Sequence, residues 1–542
     1  MNIEAIHSES DPEKLRDAAL DLHRQNLLLG TRNSVLENEN TVLLGRITAL
    51  VEQLAKATDR DVQLSLGLEI KKLNEMLAEK NKELFGSSKS ERRDPPEPKP
   101  EPAEKKKHPG HGPTKQLKLP IEEVLHTRPD PVAPCPSCAQ PQPIMAGQTE
   151  DTEQITIIER KVVLCVHKRQ KYRCTLCGRI DAAPGAPEPL LPGGRYTPEF
   201  AVAVAVDKYD DHLPLDRQVH RFERQGLVVT TATLWDQLVA LYTLLLPVYL
   251  AVHAYLLQKT VLGADESPWR VMGKGRSAKW WTWVLVGEDA VYYRLAPTRG
   301  SAAATELLRG YKGILSVDGY SVYTSLEARG TQLSLVEALE AETCRFTVVA
   351  CWMHARRGFI KADDAGHATA KEAVALIARL YRVEDKVDAV AKQTGEAVIE
   401  VRRRLRNTES RAIVEELRTW IDMQTPIPSL KLEKALGYAK NQWPRLIRFL
   451  DDPNAPIDNG WAERAVRGTV LGRKNHYGSH SELGTRVAAL FYTICETCKL
   501  IDVDPAAYML AAALRAKANR EDVLTPHVWK AERDVGRRPS DG

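Results

Sequence analysis

Two apolar stretches of this 542-residue chain run straight into an aspartate: TVLGA at 260–264 is followed by Asp265, and GILSV at 313–317 by Asp318. Short apolar runs rich in β-branched residues predict buried strands, which puts both acids at strand ends. Between them, KWWTWVLVGEDAVYYRLAP reads as two further strands around a Gly287-Glu288-Asp289 turn, and Ala302 to Arg309 as a helix. FTVVACW at 346–352 is another strand, and a long helical region from about Ala355 leads to PIDNGWAERAVRGTVLGRKNHYGSH at 456–480. There Asn459, Glu463 and Arg467 recur at helical spacing on one face, and Gly472-Arg473-Lys474-Asn475 reads as a turn. Three strands, a helix, a strand ending in an acid, another strand and a helix bearing a third acid is the order of an RNase H-like fold. The gap before Glu463 requires a helical insertion, 360–455, between a first core segment at 259–359 and a second at 456–500.

Three converging carboxylates repel one another unless cations neutralise them, and all-oxygen donors favour Mg2+ or Mn2+. Two such ions at Asp265, Asp318 and Glu463 could activate an attacking oxygen and steady a leaving one at phosphorus, with no side chain acting as nucleophile. Each acid alone has an ordinary use: a turn cap for Asp265, an Asp-Gly turn for Asp318, a pair with Arg467 for Glu463. Their joint order favours the metal site. Asp458 and Glu266 are rival ligands, but Glu266 follows Asp265 on a strand and so points to the opposite face.

The rest of the chain is modular. Leucines at 22, 29, 36, 43, 50 and 64, with Asn26, Asn33, Asn40, Ile47 and Leu54 at the other seam, form heptads that predict a coiled-coil dimerisation region over 1–85. A second set, Ile70, Leu73, Leu77 and Leu84, follows after a phase shift, and an intramolecular helical hairpin is the alternative. Residues 86–113, rich in Pro, Lys and Glu, cannot bury enough apolar surface to order themselves and read as a linker. Within 114–190, Cys135, Cys138, Cys174 and Cys177 form two CxxC knuckles around an alternating, strand-like segment, the pattern of a zinc ribbon holding one structural Zn2+. Residues 191–258 are helical, with a Gln225-Gly226 break and a Thr-capped second helix in the outline of a helix-turn-helix. A helical tail occupies 501–542. The fold class is thus multidomain α+β.

Net charge is only +4, so a nucleic-acid partner has to be argued from local patches. Arg356, Arg357, Arg467, Arg473, Lys474 and Asn475 are the candidate DNA contacts, since guanidinium forks suit phosphate oxygens. Cys351 and His354 share a C-x-x-H spacing but lack two further ligands nearby, which favours a structural role at a strand-to-helix junction. Trp280, Trp281 and Trp283 pack a core and its rim more readily than they stack on a base. No apolar run approaches the roughly 20 residues of a membrane span, and MNIEAIHSESDPEKL has no signal-peptide core, so a cytoplasmic, nucleoid-associated protein is expected.

The ordered stretches LFGSSKSERR (84–93), the paired CxxC knuckles, KYDDHLPLDRQVHRFERQG (208–226), ADESPWRV (264–271), SVDGYSVY (316–323), CWMHARRGF (351–359), DNGWAERAVR (458–467), GRKN (472–475) and DPAAYML (504–510) resemble the insertion sequence 66 family of transposases, of the DDE type, over nearly the whole chain. The resemblance implies that Asp265, Asp318 and Glu463 are the catalytic triad and that the chain cuts and joins transposon ends. The implied partners are transposon-end and target DNA, a second or further copies of the chain, and accessory transposition proteins. Asp265-Glu266-Ser267, Asn459-Gly460 and His476-Tyr477-Gly478 depart from the family's usual Asp-Glu-Thr, paired asparagines and aromatic run; the acids themselves are intact. A non-catalytic accessory DNA-binding protein and an RNase H-like nuclease are the alternatives to a transposase.

Overall fold

Residues 37–77 with short gaps, 162–164, 171–173, 180–182 and, with short gaps, 189–536 are described by the computed structural model. Lys171–Arg173 (β1) and Ile180–Ala182 (β2) pair antiparallel, Arg173 opposite Ile180. Helices Pro198–Tyr209 (α1), Leu215–Arg224 (α2) and Thr231–Leu256 (α3) lead into a five-stranded sheet of Val261–Gly273 (β3), Arg276–Val286 (β4), Val291–Ala296 (β5), Ile314–Val317 (β6) and Thr347–Ala350 (β7). The sheet order is β5-β4-β3-β6-β7. β3, β4 and β5 form an antiparallel meander, and β6 and β7 add in parallel on the other side of β3. Ser301–Leu308 (α4) and Ser321–Gln332 (α5) make the two connections, from β5 to β6 and from β6 to β7. β3 does not stop at Asp265 as its apolar run suggested; it continues to Gly273 because β4 pairs with it along that whole length.

α2 and α3 reproduce the helix-turn-helix outline, with Gly226 at φ +85° in the turn and Thr230 Oγ1 accepting from the Thr233 amide. α3 is nevertheless a core helix. Leu234, Leu238, Leu241, Leu245, Val252 and Leu256 bury one side of its 26 residues, and Tyr249 Oη and His253 Nε2 bond the carbonyls of Tyr293 and Leu307 at 2.8 Å each. It is also long and apolar enough to cross a bilayer, which corrects the expectation that no segment reaches that length; polar residues break the run in sequence but not its apolar face.

Helices fill most of 360–455, the first of them beginning earlier, at Trp352. Trp352–Asp364 (α6), Ala370–Asp385 (α7), Val387–Thr394 (α8), Val398–Leu405 (α9), a π turn at Arg406–Ser410, Arg411–Met423 (α10) and Lys431–Leu446 (α11) build a second apolar core against β7. The chain then returns as Gly460–His476 (α12) and Glu482–Leu500 (α13), followed by Pro505–Ala518 (α14) and Pro526–Gly536 (α15). Arg406 ties the insertion to that return. Buried at 2% exposure, it forks onto Glu384 at 2.7 and 2.9 Å and donates to the carbonyls of Phe449, Asp452 and Ala455.

Both sheet edges are closed by side chains, which removes the open backbone groups an edge strand leaves for aggregation. On β5, Thr497 Oγ1 accepts from the Val291 amide and donates to its carbonyl, and Thr493 Oγ1 accepts from the Tyr293 amide, both threonines coming from α13. On β7, Glu327 accepts from the Val348 amide and Arg448 donates to its carbonyl.

At the N-terminal end, helical residues 37–54 bury Asn40 and Leu43 and half-bury Ile47, Leu50 and Leu54, the seam the heptads defined. Arg46 pairs with Glu69 at 3.4 Å. A straight helix would hold those residues roughly 34 Å apart at 1.5 Å per residue, so the chain doubles back and Leu73 is buried in turn. This ion pair within one chain fits the hairpin alternative. Cys135, Cys138, Cys165, Cys174, Cys177 and the 86–113 linker lie outside the described residues, as do residues 1–36. Val162–Leu164 carry no strand, although the alternating pattern there suggested one.

Two outcomes test this fold. With Arg46→Cys and Glu69→Cys combined, mild oxidation should crosslink the two positions within one chain; peptide mapping that finds them joined only between chains would exclude the hairpin. Arg406→Met should destabilise by about 3–5 kcal/mol in chemical denaturation, because Glu384 is left without its buried partner.

Candidate active site

The register of the two central strands brings the first two acids together. Gly263 of β3 stands opposite Ser316 of β6, and each acid follows two residues later, Asp265 within β3 and Asp318 one residue past the end of β6. Asp265 Oδ1 accepts from the Glu266 amide at 2.8 Å, and Asp318 Oδ1 from the Tyr320 amide at 2.9 Å. The ordinary Asp-Gly turn at Asp318 is therefore present as well, with Gly319 at φ +99°. From α11, Tyr438 Oη donates to the Asp318 carbonyl at 2.7 Å and Gln442 Nε2 to that of Gly319 at 3.4 Å.

Glu463 comes from the first turn of α12, which packs on β3 and β4. Its helix is positioned by Asn459, wholly buried, whose Nδ2 donates to the Ala264 carbonyl at 2.8 Å while Oδ1 accepts from Trp461 Nε1 at 3.1 Å. Gly263 admits this contact: a Cβ there would lie 2.5 Å from the Trp461 nitrogen and 2.6 Å from Asn459 Oδ1. Cys351, at the β7–α6 junction, accepts the Asn459 amide at 3.2 Å, as its structural reading anticipated.

Burial is the main force on Asp265, pushing its carboxyl up to about 7, with the charges of Asp318 and Glu463 adding to it. Glu463 itself is claimed by cationic and imidazole groups of α6: Arg357 Nη2 reaches its two oxygens at 2.9 and 3.3 Å, and His354 Nε2 lies 3.3 Å from Oε1. Burial depresses the His354 pKa, and the nearby charges of Glu463 and Asp318 oppose that shift. Among the described residues, no three acidic, histidine or cysteine side chains are gathered closely enough to hold a metal ion. The sequence reading gave His354 no role here; its i+3 spacing to Arg357 on a helix entering from β7 was the available signal.

Glu266 does point away from Asp265, as strand alternation requires. Its carboxylate is fully buried, accepting from Arg299 Nε at 3.2 Å and Tyr323 Oη at 3.3 Å. Burial first, then Asp318, pushes it up to about 8, with Arg299 pulling the other way. Asp458 Oδ1 accepts from the Gly460 amide at 2.9 Å, a local turn leading into α12.

The candidate DNA contacts are placed less uniformly. Arg357 is on Glu463, Arg473 donates to the Pro268 carbonyl, and Asn475 Nδ2 donates to the His212 carbonyl at 3.4 Å. Arg467 and Lys474 are exposed on α12, while Arg356 is half-buried on α6. Gly472-Arg473-Lys474-Asn475 is not a turn but the last turn of α12. Its glycine serves packing, because a Cβ would meet Tyr492 Oη at 1.8 Å. The chain turns only at Tyr477 and Gly478, with φ +62° and +118°, and Ser479 then pairs with β3, exchanging backbone bonds with Arg270 and Met272 at 2.9 and 2.7 Å. The segment that departs from the family pattern thus extends the edge of β3, and burial holds the His476 imidazole down at about 4.

Known proteins resemble this chain along the same length. Two uncharacterized proteins of Sinorhizobium fredii are similar to it: y4qI, 31% identical over 408 residues that span 71% of this chain and 70% of its own, and y4hP, 27% identical over 429 residues that span 74% of each. The model of the family described as "Transposase IS66 family" matches residues 193–487, a span that begins just before α1, includes the whole five-stranded sheet and its helical insertion, and ends within α13. With more than half of its length matched, including every strand and helix that carries Asp265, Asp318 and Glu463, the chain belongs to the IS66 family of transposases.

Proposed function

We propose that this transposase is a DDE-type DNA strand transferase of RNase H-like fold, cutting at the ends of its element and joining them to target DNA. The observation that carries the reading is the register at the centre of the sheet, where Asp265 and Asp318 each follow the Gly263–Ser316 pair by two residues. The order β5-β4-β3-β6-β7, three antiparallel strands then two parallel, and a glutamate on the helix packed across β3 and β4 support it. Asp265, Asp318 and Glu463 would hold two Mg2+ or Mn2+ ions; bound there, such cations activate an attacking oxygen and neutralise charge on the leaving one. The residues fit that donor set. All three offer carboxylate oxygens, and Asp265 carries a burial and repulsion cost that a divalent cation would relieve.

Within this reading the chain's own groups have distinct tasks. Asn459 and Gly263 fix the height of α12 on β3, and Tyr438 fixes the Asp318 turn. Glu463 joins the two aspartates by leaving Arg357 and His354, which frees the Arg357 fork for a phosphate. Arg356, Arg467, Arg473, Lys474 and Asn475 are the other DNA contacts of this reading. Cys135, Cys138, Cys174 and Cys177 make a structural zinc ribbon, supported by the paired strands β1 and β2 on either side of Cys174 and Cys177 in the chain. Assembly of two or more copies through the N-terminal heptads completes the arrangement.

Duplexes carrying the terminal repeats that flank the gene, incubated with purified protein, plasmid target and Mg2+, should yield cut ends and joined products. Asp318→Asn and Glu463→Gln should each lower that yield by about 10³-fold, the equivalent of several kcal/mol; joining that survives Asp318→Asn would remove the triad. A second test needs no activity. Because the folded-state pKa of Asp265 is raised, the stability it contributes is present below its unfolded value near 4 and is lost as pH rises through about 7. Asp265→Asn should therefore melt higher than the wild type at pH 8 in EDTA, by a few degrees, and about equally at pH 4. Mg2+ at pH 8 should raise the wild-type melting point and leave that of Asp265→Asn unmoved; equal shifts in both would refute metal binding at this acid.

A further inference from the structure

Arg299, in the connection between β5 and α4, sits beside the acids without a task in the reading above. Its Nε donates to Glu266 Oε1 at 3.2 Å, and the Glu266 side chain has no solvent exposure at all. Its guanidinium lies 4.1 Å from the centre of the Tyr320 ring and 4.9 Å from that of Trp281. Tyr320 Oη donates back to the Arg299 carbonyl at 2.5 Å. Main chain and side chain are thus both held.

The same tyrosine holds the second acid, since the Tyr320 amide donates to Asp318 Oδ1. The guanidinium charge is also felt at Asp265. Among the described residues the Arg299 Nη groups donate no hydrogen bond, and the side chain is 36% exposed. Stability alone gives little reason for this design, because a buried carboxylate tied to a half-exposed arginine costs desolvation that an apolar pair would avoid. What the design does supply is an arginine of fixed orientation on a part-exposed side chain, with two further donors and a direct tie through Tyr320 to the residue that holds Asp318. That chemistry matches a phosphate oxygen.

We propose that Arg299 binds a non-bridging oxygen of the phosphate being cut or joined, and that Glu266, Trp281 and Tyr320 are positioning residues that aim it. The proposal rests on the strand-transfer reading. Its role is to bind charge that builds on the phosphate oxygens as one oxygen adds and the other departs; Arg299 gives up no proton and forms no bond.

Joining of a pre-cut end duplex to plasmid DNA in Mg2+ tests it. At saturating duplex, Arg299→Gln should slow joining by about 10²–10³-fold, the scale of losing one donor to a charged transition state, with duplex affinity close to wild type and the rate compared at a temperature well below the melting point of both proteins. Arg299→Lys should recover only part of the rate, since it keeps the charge and loses the fork. Glu266→Gln should slow joining by about tenfold through a misaimed Arg299. A phosphorothioate of defined stereochemistry at the joined phosphate separates this from a structural role: one isomer should slow the wild type, and that penalty should shrink in both Arg299→Gln and Glu266→Gln. Wild-type rates in Arg299→Gln, a loss that follows affinity or melting alone, or an unchanged sulfur penalty would each overturn the proposal while an inactive Asp318→Asn leaves the strand-transfer reading standing. A wild type that joins nothing overturns both.

Discussion

The arrangement of this catalytic candidate depends on one amide-to-carbonyl contact, Asn459 Nδ2 to the Ala264 oxygen, made across the bare backbone of Gly263. Buried side-chain amides are costly unless satisfied, and Asn459 uses its Nδ2, its Oδ1 and its backbone amide, on Ala264, Trp461 and Cys351. The contact joins the residue before Asp265 to the residue one helical turn before Glu463. Two acids nearly two hundred residues apart in sequence are thereby given a fixed relation that neither β3 nor α12 could set alone. The third, Asp318, needs no such device, because the β3–β6 ladder already sets its height.

The insertion is a brace for this site and not an appendage to it. Its last helix, α11, holds the Asp318–Gly319 backbone through Tyr438 and Gln442, and Tyr438 packs where any side chain at Gly319 would sit. Its first helix, α6, delivers His354 and Arg357 to Glu463. Between them, Arg406 fastens the π turn to the carbonyls just ahead of α12, a single guanidinium serving five acceptors. A polar anchor of that kind restricts how the insertion can pack, where apolar contacts alone would leave its helices freer to slide.

Much of this was legible in the sequence because it is local. Apolar runs gave the strands, alternation put Glu266 on the opposite face from Asp265, and the heptads marked the stripe from Asn40 to Leu54 that is buried or half-buried. Reading failed where a tertiary partner overrode a local signal. Gly472 looked like a turn residue and is instead a point of close approach to Tyr492 inside a helix; the apolar run before Asp265 looked complete and was prolonged by pairing with β4. Glycine in a strand often marks close backbone approach, so Gly263 was a hint of the α12 contact. Nothing local foretold that Arg357 would take Glu463 or that Arg299 would be clamped between two rings, since those partners come from separate elements.

Arg357 and the proposed metal site make competing demands on the same two oxygens. Arg357 Nη2 shared between both oxygens of Glu463 leaves less of that carboxylate for a cation, and with Nη1 beside His354 the guanidinium is turned to its own helix and Glu463 and not to a phosphate. Asp265 meanwhile remains in a buried, acid-rich setting that penalises its charged form. The two mismatches have one common resolution. If Glu463 exchanges Arg357 for a cation shared with the aspartates, the crowding at Asp265 is relieved and the arginine becomes available to the polyanion in the same step. Glu463 is therefore the element of the triad whose position is least determined by the sheet, and its helix is the one whose docking the fold secures with a buried, fully satisfied asparagine.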